Sequence, residues 1–397
     1  MIRETIGTAL VLFSMSPMIA EEALAKGRVE AGFNPVARME PVGPAVHKSF
    51  ATKQAIPILG AEFVSSGKSD ALSIAIVRNG EAHFYNFGSV SPERKVLPSE
   101  HSLFEIGSIT KVFTALLLAH AVVEGRIGLH DDVRQYLPGN YPNLAFEGTP
   151  VRIIDLADFT SALPDNLPDL AKVTASAKPG TESSMIAHAW AQYSEASLLE
   201  DLKSVNLVGR PGVIPRHSNI AAELLGVILK RAYGASYEAL LTQYIDKPLH
   251  MKSGTGNKRS ALFVTGYDMQ HHAMPAISGD FILPAGGLRY SSADLANFVK
   301  AELAASDRAL RLTQEPAWGN PENAAVGLGW RISKTSEGKA ELYTSGGTFG
   351  SSSYIEMVPS LGYGIVLLAN RAGETEGQLH DLADQLLITV AKDSNDK

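Results

Sequence analysis

Apolar and polar positions alternate with different periods along the chain, and the periods mark out its elements. Residues 71–78 (ALSIAIVR) and 81–87 (EAHFYNF) are β-rich runs separated only by Asn79-Gly80. Asn and Gly tolerate the positive φ that a two-residue hairpin turn demands, so the pair predicts an antiparallel hairpin. Residues 109–124 (ITKVFTALLLAHAVVE) are apolar nearly all round the helical circumference. That pattern predicts a helix buried on most sides, ending near Gly125.

From about 130 to 300, helical periods at 195–205, 220–233, 237–245 and 292–305 alternate with Pro- and Gly-containing loops, and no repeat is visible. Strand-like runs return at 327–332, 340–344, 352–358 and 364–369, and 378–391 reads as a closing helix. Strands at both ends with helices between them predict one sheet assembled from the two chain ends. Its strands are joined by hairpin turns rather than regular crossover helices, so the expected class is α+β (mixed α/β) with an antiparallel sheet. Helices would flank that sheet, with an all-helical region inserted at about 130–300.

The amino terminus adds a statement about location. Residues 6–20 (IGTALVLFSMSPMIA) form an apolar run behind Arg3, and Ala23-Leu24-Ala25 supplies a small-x-small cleavage pattern. Residues 1–25 therefore read as a signal peptide, and the protein as periplasmic or secreted. Residues 26–60, with Pro35, Pro41, Pro44 and Pro57, read as an irregular N-terminal arm, and 61–397 as the folded domain. No other apolar run reaches the roughly 18–20 residues of a bilayer span.

Charge and composition narrow the partners. Thirty-five Lys and Arg against 42 Asp and Glu give a net charge of -7, which argues against affinity built on phosphate neutralisation, so no nucleic acid is expected. The absence of Cys rules out disulfides, zinc ribbons, iron–sulfur clusters and a thiol nucleophile. His271-His272 have no partner at metal-ligand spacing, and no phosphate loop or dinucleotide glycine pattern is present, so neither metal nor cofactor is expected. A small-molecule or peptide substrate remains.

Phe104-Glu-Ile-Gly-Ser108-Ile-Thr-Lys111 places a Ser at the start of the buried helix and a Lys three residues on, along one face. A Lys desolvated among apolar neighbours loses its proton near neutral pH and can accept one from the hydroxyl. Ser-x-x-Lys also occurs at Ser65/Lys68, Ser336/Lys339 and Ser394/Lys397, but only Ser108/Lys111 opens an apolar helix. By itself Ser108 is equally well read as an N-cap.

Two further segments decide between these readings. Arg216-His217-Ser218-Asn219 leads into the helix beginning Ile220-Ala-Ala-Glu-Leu-Leu-Gly, and Tyr343-Thr344-Ser345-Gly346-Gly347 ends a strand before Ser353. With these, the sequence resembles the serine β-lactamase and penicillin-binding protein superfamily, most nearly its class C β-lactamase, D-aminopeptidase and family VIII esterase branch. The resemblance runs from about Ala71 to Arg371, and includes Phe159-Thr-Ser-Ala-Leu-Pro164, Pro284-Ala-Gly-Gly-Leu288 and Gly327-Leu-Gly-Trp330.

What the resemblance implies is a β-lactamase/transpeptidase-like fold and acyl transfer through Ser108. Lys111 would accept the proton, Asn219 would hold the substrate amide, and the N–H groups of Ser108 and Gly347 would form an oxyanion hole. Thr344, Ser345 and Gly346 would stand at the family's Lys/His-Thr/Ser-Gly element. The chain departs from the pattern twice. His217 stands where relatives carry a Tyr, and imidazole can act as a base near neutral pH without a large pKa depression. Thr344 replaces a cation that docks carboxylates, with Arg289 or Arg216 as possible substitutes for the charge. The expected function is a serine hydrolase acting on peptide-like amides, with a family VIII-type carboxylesterase and a catalytically inactive binding protein as alternatives.

Overall fold

A computed structural model describes residues 52–395 apart from 92–94, 253 and 255–261. The signal-peptide reading of 1–25 and most of the 26–60 arm lie outside the described residues. The arm's last part departs from expectation, since helix α1 runs from Thr52 to Ser65 with Pro57 inside it. An internal proline costs a helix about 3 kcal/mol or more. Burial of Ile56 and Phe63 against the sheet and the C-terminal helix offsets that cost.

The hairpin forms as the pattern requires. Strands β1 (Ala71–Arg78) and β2 (Glu81–Gly88) pair antiparallel around Asn79 and Gly80, whose φ values are 50° and 82°. A short strand β3 (Phe104–Glu105) and a single 3-10 turn (Gly107–Ile109) then lead into helix α2 (Thr110–Val123), eleven of whose residues are buried.

The inserted region holds helices α3 (Ile153–Ala157), α4 (Leu170–Val173), α5 (Glu182–Gln192), α6 (Glu195–Asp201), α7 (Asn219–Tyr233) and α8 (Tyr237–Leu241). It is helical except for a small ladder of β4 (Ala145–Phe146) and β5 (Thr149–Pro150), turned by Glu147 and Gly148 at positive φ. Strand β6 (Arg289–Tyr290) pairs with β3 and closes the insertion. Helix α9 (Ser292–Ala304), expected within the insertion, instead packs on β1 and the last strand. Helix α10 (Arg308–Gln314) follows and lies on α2.

The remaining strands are β7 (Trp318–Asn320), β8 (Ala324–Val326), β9 (Arg331–Lys334), β10 (Ala340–Gly347), β11 (Ser352–Val358) and β12 (Tyr363–Ala369). The run expected as one strand over 327–332 is split, because Gly329 takes a φ of 80° between β8 and β9. The sheet has eight strands in the order β2-β1-β12-β11-β10-β9-β8-β7, every neighbouring pair antiparallel. It is therefore assembled from both chain ends, as expected. Helix α11 (Thr375–Asn395) and α1 cover one face, while α9, α2 and the inserted helices cover the other. Both faces being covered, β11 and β12 are buried at every position.

Candidate active site

Ser108 sits in the 3-10 turn that feeds α2, at the floor of the seam between the sheet and the inserted helices. It is not an N-cap: the capping position belongs to Ile109 and carries no side-chain bond. The Ser108 hydroxyl instead meets two basic groups. Its Oγ lies 3.0 Å from His217 Nε2 and accepts a hydrogen bond from Lys111 Nζ, also at 3.0 Å.

Lys111 comes from the first turn of α2 and is 6% exposed. Its Nζ also donates to Asn219 Oδ1 at 2.7 Å and to the Ala285 carbonyl at 2.8 Å. Burial lowers its pKa to about 8, against the opposing pull of the Asp165 and Glu223 charges. Asn219 opens α7, and its amide in turn donates to Asn166 Oδ1 at 2.8 Å. Ser218 is the true cap of that helix, accepting from Ala221 N and donating to the Pro164 carbonyl.

His217 is held from its far side. Its Nδ1 lies 2.6 Å from Asp165 Oδ1, so one imidazole bridges a hydroxyl and a carboxylate. Burial first, and then the Lys111 charge, keep its pKa below the ordinary histidine value, although Asp165 opposes both. Glu223, one turn beyond Asn219 on α7 and 2% exposed, has its pKa pushed well up by burial, with Lys111 opposing.

The glycine segment of β10 lies against the Ser108 turn at backbone distance. A Cβ on Gly346 would stand 2.1 Å from the Ile106 carbonyl and 2.8 Å from Ser108 N, and one on Gly107 would meet Gly347 O at 2.5 Å. Only glycine at these positions lets the strand and the turn approach this closely. Among the described residues, the β9 ladder with β10 ends at Tyr343, so residues 344–347 have no strand partner on that side. Thr344, 3% exposed, lies opposite Ile355, and Ser345 opposite Tyr354; the hydrogen bonds binding the Ser108 cluster run through neither. Arg289, one candidate for the missing cation, is engaged in a partly buried ion pair with Glu105 at 3.1 Å. Arg216 is exposed.

The fold thus brings together Ser108, Lys111, His217 and Asn219 with the glycines of β10, and it adds Asp165, Asn166 and the Ala285 carbonyl, which sequence reasoning passed over. Asp165-Asn166 directly follow the family-like segment Phe159–Pro164, and Ala285 lies within Pro284–Leu288. A basic His without the family's Tyr was itself a signal to look for a carboxylate behind it.

Fold and cluster together set the comparison with known proteins. A family model described as Beta-lactamase matches residues 59–389, and the chain belongs to that family. Among curated relatives it is 28% identical over 341 residues to Protein flp of Staphylococcus aureus, covering 81% of this chain and 64% of that protein. The chain therefore spans less than two thirds of that relative. It is 26% identical over 342 residues to a beta-lactamase of Pseudomonas fluorescens, covering 76% of this chain and 88% of the other. Solved structures share the fold: a beta-lactamase/D-alanine carboxypeptidase from Pseudomonas syringae aligns with a TM-score of 0.70 at 23% identity, over 85% of this chain and 98% of that one. An octameric penicillin-binding protein homologue from Pyrococcus abyssi aligns at 0.65 and 24% identity, over 80% and 72%.

Proposed function

We propose that this protein is an exported serine hydrolase that cleaves peptide-like amide bonds through an acyl-enzyme on Ser108. The observation that carries the reading is the Ser108 hydroxyl within 3.0 Å of both His217 Nε2 and Lys111 Nζ. The two basic groups take up, stabilise and return its proton. Asn219 offers its amide to the substrate, and the Ser108 and Gly347 N–H groups face the developing oxyanion, each such donor being worth roughly 3 kcal/mol. An amine departs only when protonated, and an imidazolium at 3.0 Å from Oγ is placed to protonate it. The N-terminal apolar run with its Ala23-Leu24-Ala25 pattern supports a periplasmic or secreted location.

Thr344 favours a second reading, a carboxylic-ester substrate. A hydroxyl stands where a carboxylate-docking cation would be, Arg289 is engaged by Glu105, and an ester needs no such anchor. Both readings are tested by intact-mass spectrometry after incubation with benzylpenicillin and, separately, a fluorophosphonate, with Ser108→Ala as control. A penicilloyl adduct lost in the variant supports the amide reading. Fluorophosphonate labelling alone, with turnover of simple esters, supports the ester reading. Absence of both adducts overturns the hydrolase assignment.

A further inference from the structure

We propose that Asp165 is a positioning residue that fixes the tautomer of His217, so that His217 and not Lys111 carries the Ser108 proton. The inference rests on the acyl-transfer reading and assigns the base within it. Proton counting across five contacts carries it. Asp165 Oδ1 at 2.6 Å from His217 Nδ1 is a carboxylate acceptor and needs a donor there. Nδ1 therefore bears the hydrogen, and Nε2 presents a lone pair to Ser108 Oγ at 3.0 Å. The single hydroxyl hydrogen of Ser108 must point at that lone pair, because no other contact satisfies it. Oγ is then an acceptor toward Lys111, which donates to it as well as to Asn219 Oδ1 and the Ala285 carbonyl. Three donated bonds require all three hydrogens of an ammonium. Without Asp165 the count changes: a neutral Lys111 could donate to Asn219 and Ala285 and accept from Ser108, the role sequence reasoning gave it.

The carboxylate is held for this task. Its own backbone carbonyl accepts from Asn219 N at 2.8 Å and Ile220 N at 3.3 Å, and the Pro164 carbonyl accepts from Ser218 Oγ at 2.7 Å. Arg216 N donates to the Phe159 carbonyl at 2.7 Å. The loop before Asp165 and the start of α7 thus form one laced unit that carries both His217 and its partner. The other charges against the imidazole are Lys111 from α2 and Arg331 from β9, both of which disfavour its protonation; Asp165 is the group that favours it. Lys111 faces Asp165, Glu223 and Arg331.

Ser108 Oγ forms a bond to the carbonyl carbon while its proton passes to Nε2, and the carbonyl π pair moves to the oxygen. The tetrahedral species then loses its amine, which takes the proton from Nε2. Water repeats the sequence on the acyl-enzyme and returns the proton to Ser108. Throughout, the ammonium of Lys111 stabilises negative charge on Oγ, and Asp165 stabilises the imidazolium.

The test has one readout that needs no substrate. In protein labelled with ¹⁵N-histidine, the His217 resonance, identified by its loss in His217→Gln, is expected to show an Nδ1–H tautomer with a strongly deshielded proton. An Nε2–H tautomer in the unmodified protein overturns the proposal, whatever the substrate is. In Asp165→Asn the amide can donate to Nδ1 and turn Nε2 into a donor. For that variant a loss of at least 100-fold in kcat is expected, with KM within about threefold and an unchanged melting temperature; in a triad of this kind the change can reach about 10⁴. Asp165→Glu should restore part of kcat and the Nδ1–H signal. Asp165→Asn retaining more than half of the wild-type kcat also overturns the proposal. Failure of the acyl-enzyme test with an intact Nδ1–H signal would instead overturn only the hydrolase reading.

Discussion

At the scale of single residues, the site is two bases competing for one hydroxyl, and their pKa values say which wins at a given pH. His217 is depressed below its ordinary value by burial and by Lys111, which favours its free-base form. Lys111, lowered to about 8 by burial, is still chiefly ammonium at pH 7. With His217 as base and Lys111 as cation, kcat/KM should rise as pH passes upward through the depressed His217 value. It should fall again as Lys111 loses its proton around pH 8. The expected profile is a bell with its maximum near neutrality, measured on any ester or amide the enzyme turns over. A profile that climbs through pH 8 to a plateau would assign proton transfer to neutral Lys111.

Elements bring these residues together, and what the sequence reveals at this scale depends on distance along the chain. Ser108 and Lys111 are three residues apart at a helix start, and His217 and Asn219 are two apart before another, so local pattern suffices to find them. Asp165 is 52 residues from His217, and their meeting depends on how the inserted region folds back on α7, which periodicity does not encode. The break at Gly329 and the helix around Pro57 were missed for a related reason. In both places tertiary packing or a backbone angle overrides the local pattern. The close approach of β10 to the Ser108 turn was legible only as a glycine run, yet it makes a sharp prediction. In Gly346→Ala the new methyl would sit 2.1 Å from the Ile106 carbonyl and 2.8 Å from Ser108 N, both backbone atoms that cannot swing aside. Strand and turn must separate by an ångström or more, moving the Ser108 and Gly347 donors apart. We expect kcat to fall by about 10²- to 10³-fold, the usual cost of losing one oxyanion donor. Thermal unfolding would report a lowered melting temperature, and a variant with normal kcat would exclude Gly346 from shaping the site.

For the molecule as a whole, the acidic composition conceals a set of carboxyls whose pKa values the fold raises. Glu302 on α9 and Glu356 on β11 are 0% and 1% exposed, and burial raises each to a pKa of about 8. Burial also raises Asp158 and Asp246 to about 6. All four have folded values above their unfolded ones, so the folded state binds more protons between them. Their contribution to stability is complete below the unfolded carboxyl range and is lost as pH rises through 6 and then 8. The melting temperature should therefore be higher at pH 5 than at pH 8. Glu302 is a suitable place to test this, because it is fully buried and its Oε2 accepts from Gln314 Nε2 at 2.6 Å. Glu302→Gln keeps an acceptor for that amide and removes the titration. Calorimetry should find the variant more stable than wild type at pH 8, with a smaller difference between pH 5 and pH 8. An unchanged difference would mean that Glu302 is already ionised within the fold. The catalytic bell and this stability slope run in opposite directions below neutrality, since His217 must lose its proton while the core holds its own. On the proposed mechanism, the imidazole would bound the working range on the acid side, and Lys111 together with these buried carboxyls on the alkaline side.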